Sequence, residues 1–63
     1  MTKITAADRA EWNARVDTEV WRSEKSKAWY AEWGHPTKFG CASTKSAAIN
    51  AAIRAERKAK GKR

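Results

Sequence analysis

Residues 6–33 read AADRAEWNARVDTEVWRSEKSKAWYAEW and contain no glycine or proline, the first breakers being Gly34 and Pro36. Just before this stretch, Thr5-Ala6-Ala7-Asp8 has the spacing of a helix capping box with Asp in place of the usual Glu. Asp8 and Glu11 then suit the positive end of a helix dipole. The spacing predicts a helix from about residue 6, and Gly34-His35-Pro36 reads as a glycine C-cap followed by a stop. The apolar stripe changes face on the way. Trp12, Val16 and Val20 follow one ridge, whereas Trp21, Lys25, Trp29 and Trp33 follow another. A kink or break near Arg22–Ser26, with Ser23 as a second cap, would turn both sets toward one core.

Beyond this stretch, residues 34–43 read as a connection with Phe39 as a hydrophobic plug and His35 helping to close the turn. A last helix is expected over about 44–59, capped by Ser43 or Thr44, rich in alanine and ended by Gly61. Its apolar stripe is Ala48, Ile49, Ala52, Ile53 and Ala59, a small-residue face suited to close approach by a Trp-bearing helix. The expected fold is therefore all-α: one small domain over residues 1–63, a helical hairpin of two or three helices, with 58–63 a frayed basic tail.

Charge is divided unevenly along the chain. Residues 1–33 hold six basic and six acidic side chains, whereas residues 34–63 hold eight basic ones against Glu56 alone, so the second half carries the whole net charge of +7. A solvated helix usually interleaves glutamate with lysine, so this segregation points to a polyanion-binding end. The aromatics run the other way: Trp12, Trp21, Trp29, Tyr30 and Trp33 lie in the neutral half and read mainly as core.

Several catalytic and metal chemistries lack the residues they need. Gly40-Cys41-Ala42-Ser43-Thr44-Lys45-Ser46 resembles a phosphate-binding loop whose second glycine is missing, and such a loop needs a parallel sheet that a 63-residue chain has no room for. What remains is an anion-binding turn, Ser43, Thr44, Lys45 and Ser46, ahead of a helix N-terminus. His35 and Cys41 make no metal-ligand spacing and have no third group to orient a nucleophile. No enzyme activity, metal or cofactor is expected. A single free cysteine fits a reducing cytosol, and neither a leader peptide nor a membrane-spanning run is apparent.

The functional expectation is nucleic-acid binding, DNA or RNA, through phosphate contacts by Lys45, Arg54, Arg57, Lys58, Lys60, Lys62 and Arg63, with Asn50 placed to reach base edges beside Arg54. The alternative is a small interaction protein, an inhibitor or adaptor of the kind phages encode, that binds an acidic surface of a larger protein. Trp29, Tyr30 and Trp33 would then be contact or base-stacking residues. A membrane surface is the weakest candidate, because Ile49 and Ile53 are the only sizeable apolar residues of the last helix. Oligomeric state is left open by the sequence.

Overall fold

The computed structural model describes residues 3–34 and 36–61, with side chains through Ala59. Its order is α1 (Ala6–Asn13), β1 (Thr18–Arg22), β2 (Trp29–Trp33), β3 (Lys38–Ala42) and α2 (Lys45–Gly61). The strands form one antiparallel sheet in the order β1-β2-β3, with Trp21 opposite Tyr30 and Ala31 opposite both Val20 and Gly40. The fold is thus mixed α and β, which overturns the all-α helical hairpin expected from the sequence.

The reason lies in the four-residue spacing of the aromatics. Residues four apart share a face in a helix, but they share one in a strand as well, where the side-chain period is two. Trp29, Ala31 and Trp33 point inward, with Ala31 and Trp33 buried, while Tyr30 and Glu32 alternate outward. In β1, Val20 packs inward while Glu19 and Trp21 are exposed. Thr, Val, Trp and Tyr favour such a half-buried pleated surface.

The break near Arg22–Ser26 is a hairpin turn, built without glycine or proline. Ser23 N–H donates to the Ala28 carbonyl at 2.8 Å and Lys27 N–H to the Ser23 carbonyl at 2.8 Å, while the Ser23 hydroxyl accepts from Ser26 N–H at 3.2 Å. Lys27 closes the reversal at φ 56°, a left-handed conformation that costs a residue with a Cβ about 1 kcal/mol. The connection expected over 34–43 likewise holds a strand, β3. There Phe39 is no plug: it stands 61% exposed on the outer face, and Cys41 is exposed beside it. His35 lies outside the described residues.

Both helices cover the inner face. α1 begins at the capping box: Thr5 Oγ1 accepts from Asp8 N–H at 3.2 Å, and Asp8 Oδ2 accepts from Thr5 N–H at 3.0 Å. α2 begins after Thr44, whose hydroxyl accepts from Ala47 N–H at 3.2 Å. Ile4, Trp12, Ala31, Trp33, Ala48, Ile49, Ala52 and Ile53 form the core, with Trp12 edge-on to Trp33 at 6.5 Å. Of the stripe expected on the last helix, Ala59 is exposed; Val16, expected on the Trp12 ridge, is fully exposed in the turn before β1.

Helix α2 sits unusually near the sheet at Gly40. A Cβ built there would lie 3.1 Å from Ala51 Cβ and 3.2 Å from the Ala52 backbone nitrogen. Gly40→Val is expected to destabilise the protein by about 1–3 kcal/mol, the usual range for overpacking, read as a lower denaturant midpoint at unchanged slope.

A second expectation concerns acid. The Thr5 N–H donating to its carboxylate holds Asp8 below the ordinary aspartate range, helped by the Thr5 hydroxyl and Arg57. A lowered folded-state pKa stabilises above the unfolded value of about 3.9 and is lost as pH falls through the folded one. The stability gap between the wild type and Asp8→Asn should therefore be constant from about pH 5 to 7 and close below about pH 4. Urea titrations at stepped pH would measure it.

Candidate nucleic-acid interface

The basic residues singled out from the sequence lie on α2, but not as one patch. Lys45 begins the helix and Lys58 lies thirteen residues on, which separates them by about 20 Å at 1.5 Å per residue. Lys45, Ser43 and Ser46 are exposed at the helix start, with the Thr44 hydroxyl occupied in capping. Arg54 and Lys58 are exposed, and among the described residues neither has an acidic partner. The Lys62 and Arg63 positions lie outside the described residues, as does the side chain of Lys60.

Two members of the expected set are engaged with α1. Asn50 is half-buried, and its Oδ1 accepts from Arg9 Nη1 at 3.1 Å, so this carboxamide holds the two helices together. Arg57 Nη2 donates to Asp8 Oδ2 at 3.4 Å, an exposed pair of modest strength. The spacing of Asn50 and Arg54 placed them near one another on the helix but said nothing of α1, which reaches Asn50 only through tertiary packing.

Glu56, the lone acid of the basic half, faces inward. Its Oε1 accepts from Trp12 Nε1 at 2.9 Å and from Arg15 Nη1 at 2.8 Å, and its Oε2 accepts from Arg15 Nη2 at 2.9 Å. Arg15 also grips Asp17 through Nε at 3.0 Å and Nη2 at 2.8 Å. Both carboxylates raise the proton affinity of the guanidinium, Asp17 foremost, so it stays charged. The network lines a groove of about 410 Å³ between the helices, bordered by Asp8, Glu11, Ile53 and Arg57. Its mixed charge does not favour a polyanion. The outer surface of α2 is thereby left positive, because its one acid is turned away from it.

The aromatics divide differently from the expected contact set. Trp33 is buried and Trp29 packs against the core, so neither offers a free ring. Tyr30 belongs to the outer face, where it stacks on Trp21 at 4.7 Å and lies 5.8 Å from Phe39. Trp21 and Phe39 escaped the sequence reading because a helical ridge assigned Trp21 to the core and a loop assigned Phe39 to a plug. The alternation Glu19, Trp21 and Tyr30, Glu32 was the available signal.

Among the described residues no three His, Cys, Asp or Glu side chains converge as metal ligands, and no helix is long and apolar enough to cross a membrane. Neither a family model, nor a curated protein, nor a solved structure matches the chain.

Glu56→Gln tests the clamp. The substitution keeps the shape but removes the charge facing Arg15, and should cost about 1–2 kcal/mol, less than for a fully buried pair because Arg15 is 36% exposed. Thermal melts at two salt concentrations check it: the cost should shrink as salt rises.

Proposed function

We propose that this protein binds nucleic-acid phosphates through α2, whose last turns take in the first residues of the expected basic tail, and through Lys62 and Arg63 after it, with little sequence specificity. The supporting observation is the segregation of charge: residues 34–63 carry the entire +7, and their single acid, Glu56, is drawn to Trp12 and Arg15. Arg54 and Lys58 then face solvent with no acidic partner among the described residues. Cations so placed attract a polyanion by releasing its condensed counterions, which requires no base contact. The engagement of Asn50 with Arg9 removes the side chain best suited to read a base edge from this surface, in keeping with weak specificity. At the other end of α2, Lys45 with Ser43 and Ser46 supplies a further phosphate contact about 20 Å away.

The reading of a small interaction protein for an acidic partner draws on one observation, the exposure of Trp21 and Phe39 on the sheet. Trp and Arg anchors dominate protein hot spots. A pull-down with and without nuclease separates the two readings.

Salt dependence tests the phosphate contacts directly. With about five contacts on duplex DNA, log affinity should fall against log salt with a slope of about −4.5. Arg54→Gln/Lys58→Gln should reduce the magnitude of that slope by about 1.8 and weaken binding equally for unrelated sequences. Binding that keeps its slope in this double variant would move the contact surface away from α2.

A further inference from the structure

The outer face of the sheet, which neither helix covers, carries a row of rings. Trp21 is 39% exposed and Phe39 is 61% exposed, with Tyr30 half-buried between them. Trp21 and Tyr30 are stacked at 4.7 Å and 14°, and Phe39 continues the row at 5.8 Å and 46°. The Trp21 indole is fixed by donating to Glu32 Oε2 at 3.0 Å. Placing three large rings toward water forgoes their burial in a chain with little core to spare.

Charge around this row is polarised. The register aligns Arg22, Trp29 and Ala42 across the sheet, so the β1–β2 turn and the start of α2 lie at the same end, next to the Trp21–Tyr30 pair. That end holds Lys25, Lys27 and Lys45, none with an acidic partner among the described residues, while its acid, Glu24, pairs with Arg22 at 3.5 Å. Lys27 holds the strained φ of 56° in the turn, a position that glycine or asparagine fills more easily. Toward the opposite end lie Glu19, facing Glu32 across the strands, and Asp17 beyond.

We infer that this face is a second nucleic-acid site, one that takes unpaired nucleotides: bases stack on the Trp21–Tyr30–Phe39 row while their phosphates run to Lys25, Lys27 and Lys45. Aromatic side chains hold nucleotides by stacking, and base faces are free only in single strands, since a duplex offers groove edges. Seating the whole sheet in a duplex groove would press Glu19 and Glu32 against phosphates on either side. A single strand can stack its bases along the row, which reaches Glu32 where Phe39 stands opposite it, while its phosphates turn to the lysine end. The inference rests on the reading of the chain as a nucleic-acid binder, though not on α2 being the contact.

The test is fluorescence anisotropy with labelled oligothymidylate and oligouridylate of twelve nucleotides and a twelve-base-pair duplex, on proteins whose circular dichroism matches the wild type. Trp21→Ala should weaken binding of the single strands about tenfold or more and change duplex binding less than about twofold. Phe39→Ser, at a more exposed position, decides the matter if Trp21→Ala fails to fold. Lys25→Gln/Lys27→Gln should lower the single-strand salt slope by about 0.7 per lysine. Unequal response of the two oligonucleotides to Trp21→Ala tells DNA from RNA as the ligand and supports the site in either case. Single-strand affinity unchanged in Trp21→Ala, or in Phe39→Ser where the former does not fold, overturns the inference. So does a wild type that binds the duplex alone, while leaving the α2 reading intact. A wild type that binds no probe at low salt ends both, and capture of a protein partner lost in Trp21→Ala would then identify the face as a protein-docking surface.

Discussion

The fold depends on how closely α2 approaches the sheet. Ala31, Ala48 and Ala52 are fully buried where helix and sheet meet, and at Gly40 a Cβ would come tightly against Ala51 and Ala52. Small residues at the centre let the layers approach, and the larger side chains, Ile4, Trp12, Trp33, Ile49 and Ile53, close around them. A chain of 63 residues buries a limited share of its surface, so the loss of such a contact has few others to compensate it.

That packing also arranges the charge. Glu56 reaches Trp12 and Arg15 across the packing of α2 with α1, and three of the six acids of the first half are paired: Asp17 with Arg15, Asp8 with Arg57, Glu24 with Arg22. Arg54 and Lys58 stay outside these pairs and give α2 a positive outer side. The same helix links two basic regions, one at its start beside the hairpin turn and one toward its end.

With both helices on one side, the sheet presents its other side to water, as antiparallel sheets tolerate. Polar residues alone would satisfy that face. Here it carries Trp21, Tyr30 and Phe39, and Glu19 sits opposite Glu32, an arrangement that disfavours the sheet when like charges oppose each other. The stack of Trp21 on Tyr30 across the strands stabilises the sheet in its own right, while the rings it leaves toward water are what the proposed single-strand site would use.

The sequence by itself determined the features governed by local chemistry. The Thr5–Asp8 capping box, the helix after Thr44 with its Ala48, Ile49, Ala52 and Ile53 stripe, and the confinement of positive charge to the second half are all legible from residue types and spacing. The strands were not, because Trp29 and Trp33 four apart fit both a helical and an extended period, and the turn between β1 and β2 uses Ser23 and Lys27 where glycine or proline would have marked it. Only the tertiary structure decided which period prevailed: pairing β2 with strands on both sides satisfies its backbone and lets Trp33 meet Trp12 and Ala31 meet α2. It also decided which expected site residues remain available. Asn50 and Arg57 are drawn to α1, Trp29 and Trp33 to the core, and Trp21 and Phe39 are left facing solvent, since a side chain's partners across the fold follow from the packing of whole elements and not from its neighbours in the chain.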